Sequence, residues 1–152
     1  MATIEEFNSK LTALLNNLSP TAKRELARKI GQNLVQSQRN RITAQQNPDG
    51  TAFAPRKPQK SFRNKKGRIK RKAMFAKLKT ARFLKVKANA NQVSIGFTGN
   101  TAYLASVHQF GLVSRVHRKQ NYKVEYAQRE LLGFTEQDID MIERLVIEQL
   151  GM

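Results

Sequence analysis

Between Arg56 and Lys72 the chain carries ten basic residues in seventeen positions and no acid. Like charges at that density repel one another, and ionised Lys and Arg are almost never buried without partners. Three breakers, Pro55, Pro58 and Gly67, stand in or beside the run. From Thr51 to Arg68 there is neither a helical nor an alternating period, and only Phe53, Phe62 and Ile69 could anchor the basic run. The run therefore reads as a loop or arm that needs a partner to be held in one shape. The core must be built from the residues on either side of it.

On the N-terminal side the pattern is helical. Thr3-Ile4-Glu5-Glu6 has the form of a capping box, and Ile4, Phe7, Leu11, Leu14, Leu15 and Leu18 follow at helical spacing. Ser19-Pro20 opens a second helix, with Ser as N-cap and Pro in the first turn. Its apolar stripe is Leu26, Ala27, Ile30 and Leu34, and it is expected to run to about Gln46. Gly31 inside that helix costs about 1 kcal/mol relative to Ala. Asn47-Pro48-Asp49-Gly50 then stops it.

On the C-terminal side the period changes. A short helix is predicted over Ile69 to Ala81, burying Met74, Phe75, Leu78 and Ala81. Leu84, Val86 and Ala88 then alternate with lysines, Val93, Ile95 and Phe97 alternate with polar or small residues, and Asn89-Ala90-Asn91 joins the two as a hairpin. Ala102 to Phe110 reads as a short helix closed by Gly111. Leu112 to His117 and Tyr122 to Tyr126 form a second predicted hairpin. Thr135-Glu136-Gln137-Asp138 opens a last helix, with Ile139, Ile142, Leu145, Val146 and Leu150 as its stripe. The expected class is α+β: two N-terminal helices over residues 1–46, a basic loop or arm over 47–68, and an α+β core over 69–152. There a small antiparallel sheet of hairpins packs with helices, including a C-terminal one. A chain of 152 residues suits a single domain.

Charge is distributed as unevenly as hydrophobicity. The net charge is +17. Lys23 to Lys87 holds 21 basic residues against Glu25 and Asp49, a net +19, whereas Gly133 to Met152 holds five acids and one base, a net −4. A basic body with an acidic end suits two partners: a polyanion, or another copy of the chain. No apolar run approaches the roughly 18 residues of a membrane span. Glu5 and Glu6 stand where a signal peptide would be basic, so the protein is expected to stay in the cytoplasm of the cell that makes it.

Little points to catalysis. The chain has no cysteine, so thiolate chemistry and disulfides are excluded. His108 lies two residues after Ser106, but a triad is a spatial arrangement and the spacing favours a packing or interface histidine. His117 sits in a basic turn with Arg115, Arg118 and Lys119 and reads as solvated. Glu136, Asp138 and Asp140 lack the glycine and the final glutamate of a calcium loop and fit a first helical turn. Lys65-Lys66-Gly67 lacks the earlier glycine of a phosphate loop. No enzyme, metal or cofactor is expected. The basic run, by contrast, has few aromatic residues for base stacking, which favours backbone contact over sequence-specific RNA recognition. Its candidate polyanion or assembly contacts are Arg56, Lys57, Lys60, Arg63, Lys65, Lys66, Arg68, Lys70, Arg71 and Lys72. The candidate subunit-interface acids are Glu136, Asp140, Glu143 and Glu148.

Several phrases occur together in order. They are Arg41-Ile42, Gln46-Asn47-Pro48-Asp49-Gly50-Thr51-Ala52-Phe53-Ala54-Pro55, Ala73-Met74-Phe75-Ala76-Lys77-Leu78, Val107-His108-Gln109-Phe110-Gly111, and Arg129-Glu130-Leu131-Leu132-Gly133-Phe134-Thr135-Glu136-Gln137-Asp138. Through them the stretch from Arg41 to Leu150 resembles the phage virion morphogenesis family, the tail-completion proteins of Mu-like and related contractile-tailed phages. The resemblance makes Pro48, Asp49, Gly50, His108, Gln109, Gly111, Leu132 and Gly133 structural motif residues. It implies a non-enzymatic protein that finishes the head-proximal end of the tail or forms part of the neck. Such a protein works as a ring, usually six-fold, which requires a head-to-tail interface that closes. The implied neighbours are its own copies, the tail tube or sheath, head-connector proteins and, non-specifically, DNA in the channel. The implied location is the virion, after assembly in the host cytoplasm. The alternative is a free nucleic-acid-binding protein that uses the basic run.

Overall fold

The computed structural model describes residues 3–56, 73–115 and 121–151. The first helix, α1 (Ile4–Asn16), opens on the expected box. The Thr3 hydroxyl accepts from the Glu6 N–H at 3.2 Å, and the Glu6 carboxylate accepts from the Thr3 N–H at 3.0 Å. Leu11, Leu15 and Leu18 are half-buried, while Leu14, expected among them, is exposed. Ser19 caps α2 (Pro20–Thr43), its hydroxyl accepting from the Ala22 N–H at 3.1 Å. The helix stops short of Gln46 because the backbone turns left-handed at Gln45, with φ of 57°.

Strands β1 (Leu84–Ala88) and β2 (Val93–Phe97) form the first hairpin, turned by the Asn89 N–H donating to Gln92 O at 2.9 Å. Helix α3 (Asn100–Phe110) follows, and Gly111 ends it in the left-handed region at φ 63°, ψ 52°. Strands β3 (Val113–Arg115) and β4 (Lys123–Glu125) pair antiparallel, with Val113 opposite Glu125, Ser114 opposite Val124 and Arg115 opposite Lys123. The last helix is α4 (Glu136–Gln149). The class is α+β, but the hairpins do not merge into one sheet: each closes its own two-stranded ladder.

The described residues group into two units. One unit comprises Met1–Val35, Val86–Ile95 and Glu136–Met152. In it, Gly31 of α2 is buried where the tip of the first hairpin arrives. A Cβ built there would lie 2.4 Å from Val86 Cγ1 and 2.9 Å from Val93 Cγ2. The residue that looked like a propensity cost is thus the one that lets helix and hairpin touch. In α4 the inward row is Asp138, Ile142, Leu145 and Gln149, with buried Val146 beside it. Gln149 Nε2 reaches Ala22 O at 3.3 Å. Because Asp138 holds the inward position of the first turn, Ile139 is displaced to the outside, against expectation.

The second unit comprises Gln36–Lys85 and Gly96–Thr135. Its core is Ile42, Phe53, Met74, Leu78, Ala105 and Leu131, with Phe75, Phe83 and Phe97 packed against it. Phe53 and Phe75 meet edge to face at 5.8 Å. The predicted helix over Ile69 to Ala81 is replaced, in its described part, by a run of turns. Gln45 explains the difference. Its side-chain oxygen accepts from the Met74 N–H at 2.8 Å, and its amide donates to Met74 O at 2.9 Å. Both backbone groups of Met74 are thereby withdrawn from a helical ladder, and Phe75 adopts φ 65°. Met74 and Leu78 are buried as expected and Phe75 half-buried, but Ala81 is exposed.

Candidate functional site

The motif phrases converge in the second unit through hydrogen bonds. Arg41 is their hub. From the last turns of α2 its guanidinium donates to Gln46 O at 3.0 Å, Glu130 O at 2.8 Å, Leu131 O at 2.8 Å and Gln38 Oε1 at 2.6 Å. The side chain is buried, and a planar fork with five donors suits several carbonyls arranged around it. Gln38 Oε1 also accepts from the Gly133 N–H at 3.1 Å. Neither residue was given this role from sequence. The available signal was two polar residues at the inward positions that continue the stripe beyond Leu34.

The other phrases lock onto the same segment. Gln109 binds the backbone of Leu132 on both sides, donating to its carbonyl at 2.8 Å and accepting from its N–H at 2.9 Å. Asn47 Oδ1 accepts from the Glu130 N–H at 2.9 Å. Gly133 lies so close to Pro48 that a Cβ would stand 2.4 Å from its Cγ. The Arg129 N–H donates to His108 O at 2.7 Å. Beyond α3, a Cβ on Gly111 would meet Gln128 N at 3.1 Å, so both its φ and its surroundings favour glycine. Pro48, His108, Gln109, Gly111, Leu132 and Gly133 are therefore brought together. Asp49 and Gly50 are not: they are exposed and shape only their own turn, where the Asp49 carboxylate accepts from the Thr51 N–H at 2.9 Å.

His108 is wedged between Phe75, at 4.8 Å, and Tyr126, at 5.2 Å, both edge to face. Burial, and then the charge of Arg129, push its pKa below the ordinary 6.5 and keep the ring neutral. Among the described residues its buried Nδ1 has no hydrogen-bond partner. Among the described residues no three His, Asp or Glu side chains gather to hold a metal ion. No helix among them is long and apolar enough to cross a membrane.

Both ends of the basic run are tied to this cluster. Arg129 donates to Ala54 O at 2.7 Å and to Pro55 O at 3.0 Å, just before exposed Arg56. On the far side, Met74 is held by Gln45. Lys57, Lys60, Arg63, Lys65, Lys66, Arg68, Lys70, Arg71 and Lys72, like His117, lie outside the described residues. In the other unit, Glu136, Asp140, Glu143 and Glu148 all occupy the exposed side of α4.

The phrases thus mark how the chain is fastened. Residues 2–151 match the phage virion morphogenesis family. The chain belongs to that family. It is 47% identical over 151 residues to tail completion protein S of Escherichia phage P2, an alignment that covers 99% of each chain. No solved structure matches it.

Proposed function

We propose that the protein completes the phage tail as a structural subunit, forming a ring at the head-proximal end to which a filled head joins. The observation that carries this reading is the end-to-end identity with tail completion protein S. The geometry supports it. Gln109 and Asn47 are engaged with backbone groups, and His108 is packed between two aromatic rings. We read the protein as no enzyme. Its charged groups then serve assembly. Glu136, Asp140, Glu143 and Glu148 face a basic surface of the next copy. The basic run, rooted at Arg129, faces a neighbouring tail or head-connector protein or DNA in the channel. The site of action is the neck of the virion, reached from the host cytoplasm during assembly.

A phage lacking this gene should accumulate filled heads and separate tails, and the labelled protein added back should appear at one end of the tails in micrographs. Normal virions from the deletion would refute the reading. The second reading, a free nucleic-acid binder, is favoured by the ten basic residues in seventeen. It requires steeply salt-dependent binding to DNA by a protein that never attaches to tails.

A further inference from the structure

We propose that the exposed aromatic face of α3 and the β3–β4 hairpin is the docking site for α4 of a second copy of this chain. The proposal rests on the self-assembly reading above and names the surfaces through which it occurs. Tyr103, Phe110 and Tyr122 are 63%, 65% and 68% exposed, and Leu112 and Val113 accompany them. Large apolar side chains this exposed, on one helix and the hairpin that follows it, mark an interaction surface rather than scattered surface residues. The face is also tied together. The hydroxyls of Tyr103 and Ser114 are hydrogen-bonded at 2.9 Å, and Tyr122 lies two residues before Val124, the partner of Ser114. Tyr103 is thus anchored on Ser114, while the exposed Tyr122 keeps its phenol toward solvent, where it can meet a carboxylate.

The occupant is identified by charge and by shape. On the described residues of this face Arg115 and Lys123 stand against Glu125, a net +1. Helix α4 carries five acids against Arg144, a net −4. Its outer side is not only acidic. Ile139 and Ile147 are 47% and 44% exposed, with exposed Glu143 between them at i+4 from the first and i−4 from the second. At 1.5 Å per residue that row is about 12 Å long. From Leu112 to Arg115 the chain advances three steps of about 3.3 Å, about 10 Å, a comparable length. Apolar groups thus oppose apolar groups, with bases and phenols opposite acids around them. A polyanion would match the bases but leave the aromatic groups and the two isoleucines uncovered. Every copy carries both halves, so the contact is heterologous and repeats from subunit to subunit.

The absence of cysteine from the chain makes the test direct. Copies bearing Tyr122→Cys are mixed with copies bearing Ile147→Cys, and a short bis-maleimide is added at low and at high salt. A cross-linked dimer of mixed type, more abundant at low salt, is the expected result. Tyr122→Ala should separately weaken self-association by about 30-fold, as loss of an aromatic anchor does, without lowering the melting temperature. Self-association with only like-with-like links, or links from Tyr122→Cys to isolated tails but not to Ile147→Cys copies, would overturn the proposal while leaving tail completion standing. A chain that stays monomeric at all concentrations would overturn it too. Tail completion itself is judged independently, by whether labelled protein reaches the ends of tails.

Discussion

The buried arginines of one unit and the exposed acids of the other use charge in opposite ways. Arg41 and Arg129 are buried and spend their donors on carbonyls of the chain itself. Glu136, Asp140, Glu143 and Glu148 stand in water along α4. Buried charge must be satisfied at once or the fold fails, because an uncompensated ion or carbonyl in the interior is costly. Exposed charge costs little and contributes little to stability. The contrast implies that the arginines are needed for folding and that the acids are not.

The strongest way to break this contrast is Arg41→Met. The substitution preserves much of the volume but leaves the carbonyls of Gln46, Glu130 and Leu131 without their donor. Each unsatisfied group costs about 1–3 kcal/mol, so the variant should lose at least about 3 kcal/mol in denaturant unfolding. Arg41→Lys should recover only part of this, since an ammonium cannot reproduce the fork. A Met variant as stable as the parent would show that the hub is dispensable.

Next in size is the contact between Gly133 and Pro48. Gly133→Ala introduces a Cβ at 2.4 Å from a proline ring, and overpacking of this kind costs about 1–3 kcal/mol. Adding Pro48→Ala should restore part of the loss, and that coupling is the measurement. Strict additivity would mean that the two residues do not meet.

A smaller effect is expected from His108. Its pKa is lowered in the folded state, so the unfolded chain takes up the proton first as pH falls. The stability this group contributes is complete above about pH 6.5 and is lost as pH falls through the lowered folded value. His108→Gln should flatten the pH dependence of unfolding just below 6.5. Asp49, whose carboxylate is held below its ordinary 3.8 first by the Thr51 side chain and then by the Thr51 backbone, acts in the same direction but only below 3.8, whereas the loss from His108 begins at about 6.5. An unchanged slope in the variant would show that His108 does not titrate as described.

The sequence revealed more of the fold than of the fastening. The box at Thr3 and Glu6, the cap at Ser19, the alternation from Leu84 to Phe97 and the stop at Gly111 are local signals, and each appears where its residues place it. What was hidden depends on partners distant in the chain. Met74 and Phe75 have helical spacing, yet Gln45, 29 positions earlier, removes Met74 from a helix. Gly31 looked like a weakness until Val86 and Val93 arrived beside it. Ile139 kept the period of the α4 stripe but lost its inward place to Asp138. Of the candidate site, the order of the phrases named Pro48, His108, Gln109, Gly111, Leu132 and Gly133, which meet, together with Asp49 and Gly50, which shape only their own turn. Arg41 as their hub was not legible, since a buried arginine among carbonyls has no periodic signature.

The acids of α4 define the other side of the contrast, and their substitution should change stability least. Glu143 and Glu148 are exposed, and surface changes of this kind usually stay within about 0.5 kcal/mol. The double variant Glu143→Lys, Glu148→Lys should therefore unfold with the parent. It changes the sequence from Gly133 to Met152 from a net −4 to a net of zero. If the acids steer α4 toward a basic surface on a neighbour, assembly should slow most at low salt, where screening is weakest, and the difference from the parent should shrink as salt rises. Light scattering or uptake onto tails at two ionic strengths measures this. Normal kinetics at low salt would remove electrostatic steering from the interface and leave the exposed isoleucines, Ile139 and Ile147, as its remaining contribution from α4. Slow assembly at every salt concentration would instead mean that the acids make close contacts in the finished assembly, since screening weakens steering more than it weakens a desolvated pair.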